Sequence, residues 1–251
     1  MTKPFDLGLS ASEQFLYIRY SYFSWEHVLV IIISAIVLIL VAVLFRRQKH
    51  LINIVLIVSS VLVAMCMVGL VAYTIITKQY NLEWYLPFHI CNLFLFALPL
   101  SAIFKNKVRI FLKDYIVLCG LGGSILNIMF PLSSMLYYPV FHITSVLVWV
   151  HHLTIGGISV YMLTSGNYKK VNAFNFLSVL TGLLILAPIV NSITDANFLF
   201  INPKREVPPL SQINDFFAPL GVWAVIIMVY IIAVVLHFVT NKKPKNKKDI
   251  T

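Results

Sequence analysis

Charge is what this chain has least of. Its 19 Lys and Arg and 9 Asp and Glu make up only 11% of 251 residues, less than half the roughly 25% of an ordinary soluble domain. Hydrophobic residues account for 60%, and a soluble fold of this size cannot keep that much apolar surface away from water. A soluble enzyme, a DNA-binding protein and a disordered tail are therefore excluded as descriptions of the whole chain. Cysteine is scarce as well. Cys66, Cys91 and Cys119 all fall within apolar runs, so no disulfide framework is expected. The sequence has no phosphate-binding glycine loop and no dinucleotide fingerprint, because Gly120-Leu121-Gly122-Gly123 lies inside an apolar run. Close Cys, His and acidic ligands around His151 and His152 are lacking too, so no metal and no cofactor is implied. The first 25 residues have no basic start followed by an apolar core, and no cleavable signal peptide is expected there.

What the chain does have is long apolar runs. Crossing a bilayer takes roughly 20 helical residues, and seven runs qualify: 26–45, 51–77, 86–104, 111–131, 139–164, 172–192 and 216–239. The third is interrupted by His89, Cys91, Asn92 and Pro99, the fourth by Asn127. The expected fold is an all-α membrane protein, a bundle of seven transmembrane helices over 26–239. Residues 1–25 would form an outer interfacial segment rich in Phe, Tyr and Trp, since aromatic rings favour the headgroup level. Residues 240–251 would form a basic cytoplasmic tail.

Orientation follows from where lysine and arginine fall. The loops after spans one, three and five, together with the tail, hold 14 of the 19, from Arg46, Arg47 and Lys49 to Lys247 and Lys248. Of the nine acids only Asp114 and Asp249 share that side. The N-terminus is thus expected outside and the C-terminus in the cytoplasm of a cell membrane. The net charge of +10 reports topology and calls for no nucleic acid.

This topology gives each polar residue a depth, at roughly 1.5 Å per helical residue. His89, Cys91 and Asn92 come out roughly 5–9 Å below the outer edge, with Asn127 and His142 near it and His151 and His152 roughly 18–20 Å down. Asn191 ends span six, followed by Asp195 and Asn197, and a loop over 193–215 contains Asn202, Pro203, Pro208 and Pro209. Four helices thus carry polar groups to the outer half, and such groups normally face a bundle interior or a wet cavity. Bland readings stand beside the chemical ones. Cys66 and Cys119 read as packing residues, Asn191 and Asn197 as caps, and Gly120, Gly122, Gly123 and Ser124 as a close helix contact. On helical depth Cys91 and His152 are roughly 12 Å apart, so His89 or His142 fits Cys91 better, as a rim above a floor of His151 and His152.

Leu86-Pro87-Phe88-His89-Ile90-Cys91, then Gly120-Leu121-Gly122-Gly123-Ser124 and Pro131, then His142 with His152 ten residues on, then Asn191, Asn197-Phe198-Leu199-Phe200 and Asp215-Phe216 with Pro219 together resemble the YwaF-like family of bacterial multi-pass membrane proteins. That family is distantly similar to the eukaryotic transmembrane protein 164 acyltransferase. The resemblance implies acyl transfer on lipids through a cysteine and a histidine. The cysteine would match Cys91, or the position three residues earlier where this chain has Phe88. The histidine would match His152, followed here by Leu153 where glycine is usual, or His151 beside it.

Two functions follow. One is an outward-facing lipid acyltransferase or acyl hydrolase, with Cys91 as nucleophile, one of His89, His142, His151 and His152 as base, and Asn92, Asn127, Asn191 or Asn197 binding substrate or oxyanion. The other is a non-enzymatic membrane protein, a transporter subunit or ligand-binding scaffold. Polar groups continuing to the cytoplasmic side would favour transport, and His237 is nearly alone there. Membrane lipids are the expected partners.

Overall fold

A computed structural model describes residues 23–78, 86, 88–130, 140–168, 170, 172–194, 196–201 and 222–240. The interfacial segment up to residue 22, Pro87, Pro131, Asp195, the stretch from Asn202 through Pro219 and the lysine tail lie outside the described residues. Among those described, all regular structure is helical. Among the described residues, seven α-helices overlap the seven apolar runs: α1 Trp25–Leu44, α2 Ile52–Ile76, α3 Phe94–Ile103, α4 Lys107–Met129, α5 Ile143–Thr164, α6 Ala173–Thr194 and α7 Val222–Thr240. Five of them, α1, α2, α4, α5 and α6, are long and apolar enough to cross a membrane.

Sequence-local chemistry starts several of these helices. Ser24 accepts a hydrogen bond from the His27 amide at the head of α1, Asn106 does the same for Val108 in α4, and the His142 ring accepts from Thr144 in α5, so each satisfies an amide the helix leaves free. Burial then shows which solvent the helices were built for. Only 17% of an 18-residue window of α1 is buried by protein, and Ile32, Ile33, Ile36, Ile39, Leu40 and Val43 stand exposed along it. Water would penalise that surface by about 25 cal/mol per Å², whereas lipid does not.

The bundle is organised around the α4–α5 pair, which has the most extensive contact in the molecule; α5 also packs on α1 and α2, and α4 on α3 and α6. Small residues allow it. A Cβ on Gly120 would lie 2.3 Å from Ser159 Oγ and 2.7 Å from the Ile155 carbonyl oxygen, and one on Gly156 would lie 2.3 Å from Ser124 Oγ. The close contact expected from the glycine run is therefore real at Gly120 and is answered by Gly156 on α5. A Cβ on Gly122 would meet nothing, and one on Gly123 would meet Cys91 Sγ at 3.1 Å.

One expected element differs. The third apolar run is not a helix from Leu86 onward. Ile90–Leu93 form a 3₁₀ turn and α3 is only ten residues long, about 15 Å, too short to span.

Candidate functional site

A 3₁₀ turn leaves carbonyl groups without the partners an α-helix provides, and inside a membrane no water replaces them. Side chains of the neighbouring helices do so here. The Tyr115 hydroxyl on α4 donates to the Ile90 carbonyl, and His151 Nε2 on α5 lies 3.2 Å from the Cys91 carbonyl oxygen. Facing a carbonyl, that Nε2 is the protonated nitrogen of His151, and its Nδ1 is a buried acceptor with no partner among the described residues. Asn92 Nδ2 donates to the Leu86 carbonyl at 3.2 Å, closing the turn from its other side.

The turn thus held places the Cys91 thiol against two helices at once. It lies beside the His152 ring on α5 and the Cys119 thiol on α4, close enough to interact electrostatically with both. His152 Nδ1 lies 2.8 Å from the Val148 carbonyl oxygen, so Nδ1 carries the proton and Nε2 keeps the lone pair. A backbone acceptor fixes the tautomer, and the free nitrogen is the one able to take a thiol proton. Cys119 also contacts the Tyr115 hydroxyl, so one run of side chains joins His152, Cys91, Cys119 and Tyr115 and returns to the turn at Ile90.

The helical depth argument put Cys91 far from His152, with His142 as a nearer base; the structure reverses this. Leu86, Phe88 and His89 are not helical, and His89 has extended backbone, so a rise of about 1.5 Å per residue counted along a helix misplaces Cys91. Cys91 reaches the level of His151 and His152. His142 is occupied elsewhere: it caps α5, its Nδ1 lies 2.8 Å from Thr144 Oγ1, and its Nε2 lies 3.1 Å from the Tyr73 hydroxyl. The expected rim of His89, Cys91 and His142 above a separate histidine floor does not form. His89 does lie near Cys91, close enough to interact electrostatically, and it stacks edge-on against Phe198, ring centroids 5.3 Å apart.

Phe198 is held by Asn191. Asn191 Oδ1 accepts from the Phe198 amide at 2.7 Å and Nδ2 donates to its carbonyl at 3.2 Å. Asn191 is therefore a clamp on the 3₁₀ turn Phe198–Phe200, with buried Asn197 as that turn's N-cap residue. Asn127 is one turn beyond Gly123 on α4, and its buried Oδ1 has no partner among the described residues.

Three residues escaped the sequence reading. Cys119, read as packing, is a direct neighbour of Cys91. His27 is fully buried, with Nε2 2.8 Å from the Ile128 carbonyl oxygen; it ties α1 to the end of α4. Asp114, counted among loop charges, is buried and accepts from the Tyr168 hydroxyl at 2.7 Å, the Asn172 amide at 3.0 Å and Asn175 Nδ2 at 2.7 Å. His27 and Asp114 carried signals in the sequence, being polar residues inside an apolar run. Cys119 carried none.

Fold and site together define an all-helical membrane protein that wraps a thiol–imidazole cluster between a broken helix and a tightly packed helix pair. The chain belongs to the TMEM164 family, whose model matches residues 22–241. No curated protein and no solved structure matches it.

Proposed function

We propose that this protein is a membrane lipid acyltransferase or acyl hydrolase of the bacterial YwaF-like branch, with Cys91 as nucleophile and His152 as base. One observation carries the reading: Cys91 touches a histidine whose Nδ1 is anchored on the Val148 carbonyl. A nucleophile, a base within reach and a third group orienting the base are what covalent acyl transfer needs. His152 Nε2 takes the thiol proton as Cys91 attacks an ester carbonyl carbon. The C–O bond of the tetrahedral intermediate then breaks, and the imidazolium returns the proton to the departing alcohol, leaving a thioester on Cys91. An acceptor hydroxyl or water reverses the sequence and releases the acyl group. Asn92, next to Cys91 in the turn, and Asn127, one turn beyond Gly123 on α4, are the amides proposed to bind the oxyanion. Asn191 supports it at a distance, through Phe198 and His89.

The proposed setting is a cell membrane with seven spans, the N-terminus outside, the lysine-rich tail in the cytoplasm and lipids as substrates. The placement of basic residues supports that orientation. The exposed apolar faces of the helices, which lipid solvates without penalty, support a lipid substrate over a soluble one.

The test is lipid profiling of cells expressing the wild-type chain, Cys91→Ala or His152→Ala, with protein levels matched. The wild type should shift the acyl composition of one lipid class, and both variants should lose that shift. A wild-type shift that Cys91→Ala retains in full would remove the cysteine mechanism.

A further inference from the structure

Cys119 is a second thiol that acyl transfer has no use for, yet it sits on the nucleophile. A Cβ on Gly123, one helical turn after Cys119 on α4, would lie 3.1 Å from Cys91 Sγ, so the Ile90–Leu93 turn lays the Cys91 sulfur against the face of α4 that carries Cys119, and the two thiols interact. Cys66 is the internal contrast, a buried cysteine on α2 that is not part of this cluster. Cys91 also belongs to the more yielding element. A 3₁₀ turn has poorer backbone hydrogen bonds than a helix, and Cys91 is only partly buried whereas Cys119 is buried.

We propose that Cys91 and Cys119 are a reversible dithiol–disulfide pair that peroxide oxidises, with Cys119 as the resolving cysteine. The Cys91 thiol gives its proton to His152 and its sulfur attacks hydrogen peroxide. An S–O bond forms, the O–O bond breaks, and the departing hydroxide takes the proton back from His152 as water, leaving Cys91 as a sulfenic acid. The Cys119 sulfur then attacks the Cys91 sulfur. The S–S bond forms, the S–O bond breaks, and hydroxide leaves with the Cys119 proton as a second water. Two thiols lose two electrons, and one peroxide gains them. Closing the sulfurs to about 2.05 Å brings the turn toward α4, where Gly123 offers no side chain to obstruct it. Hydrogen peroxide is small and uncharged, and so can reach a site in lipid. The bond would withdraw Cys91 from His152, so any thiol chemistry at this site stops until a dithiol reductant restores it. The proposal does not depend on the acyl-transfer reading, since the disulfide forms whether or not a lipid is ever a substrate.

The experiment uses the full chain purified under reducing conditions and then exposed to hydrogen peroxide in detergent. Free thiols are titrated after denaturation, and peptides are mapped by mass spectrometry without reduction. The titre should fall from the three cysteines present to one, with a Cys91–Cys119 linked peptide, Cys66 still alkylatable, and full recovery on adding dithiothreitol. In Cys119→Ser the linked peptide should vanish and Cys91 should proceed to sulfinic acid, which dithiothreitol does not reverse. The proposal is overturned if the wild type keeps three thiols, if Cys91 over-oxidises while Cys119 stays free, or if either pairs with Cys66. Each of these is read on the wild type, so a folding defect in the serine variant changes none of them. Loss of lipid activity in Cys91→Ala with no disulfide in the wild type would sink this proposal alone.

Discussion

At the residue scale, the proposed acyl transfer turns on which nitrogen of His152 carries the proton. Nδ1 is committed to the Val148 carbonyl at 2.8 Å, so the ring meets Cys91 as a base. A thiol of that kind reacts through its thiolate, and removing the base removes thiolate. A membrane-permeant maleimide should modify Cys91 faster than Cys66, and His152→Ala should slow the Cys91 reaction by roughly tenfold; His142→Ala, whose ring is bound to Tyr73 and Thr144, should leave it unchanged. Mass spectrometry of the three cysteine peptides over time reads this directly. A second residue-scale prediction concerns Asp114. Asp114→Ala would strand the Tyr168 hydroxyl, the Asn172 amide and the Asn175 side chain, and each buried orphan costs about 1–3 kcal/mol, so a large fall in detergent unfolding temperature is expected. Burial first, then the bond to Asp114 and its charge, push the Tyr168 hydroxyl above the ordinary tyrosine range. A group raised in this way contributes its full stability below the ordinary value, near 10, and loses it as pH climbs further. Tyr168→Phe should flatten the alkaline fall in unfolding temperature above about pH 10. What the sequence offered at this scale was uneven. Cys91 and His152 stand out as polar residues in apolar runs. Cys119 looks like any small hydrophobe, and only the pairing of α4 with the turn reveals it. Asp114 counts with the charges of the basic side, because its partners Tyr168, Asn172 and Asn175 lie 54, 58 and 61 residues away in sequence.

At the scale of elements, the apolar runs made the long described helices legible, because length and hydrophobicity are what a bilayer selects. The break before α3 was not legible. His89, Cys91 and Asn92 interrupt the run, but nothing local separates a helix carrying polar residues from a 3₁₀ turn whose carbonyls are satisfied by Tyr115 and His151. Those donors are 25 and 60 residues away in sequence. The missing break is also why depth counted along a helix failed at Cys91. The glycine run illustrates the same limit: Gly120, Gly122 and Gly123 are alike in sequence and different in place. Gly120→Leu should force α4 off α5 and cost about 1–3 kcal/mol or more, because a Cβ there already collides with Ser159 and the Ile155 carbonyl. Gly122→Leu, with open space beside it, should stay within about 0.5 kcal/mol. Thermal unfolding of the two variants in one detergent makes the comparison, and equal losses would place α4 differently from the structure described.

At the scale of the whole molecule, the two ends of the bundle are chemically unlike. One end gathers Phe23, Trp25, Phe130 and Phe141, with Phe23 edge-on to Phe130 at 6.4 Å and Trp25 tilted on Phe141 at 6.5 Å, the composition favoured where headgroups meet acyl chains. The other end carries Arg46, Arg47, Lys49, Lys105, Lys107 and Lys113, while Arg109 turns inward to bind the Ser101 and Ala102 carbonyls and Asn53. Arg109 is thus partly a structural cap for α3, and the free loop charges that set orientation are correspondingly fewer than a count of the sequence gives. The remaining ones still lie on one side, and charge in short loops opposes translocation whatever the helices between them do. If seven spans separate the ends, the tail after Thr240 shares the basic side. A phosphatase fused after Thr251, active only outside the cytoplasm, should therefore be silent, whereas the same reporter placed in the 202–215 loop should be active. Replacing Arg46, Arg47 and Lys49 with Gln should weaken this preference, and replacing Arg109 should instead lower stability, because its guanidinium is spent on α3. An active phosphatase at the tail of the wild-type chain would place the tail outside the cytoplasm and overturn the proposed orientation.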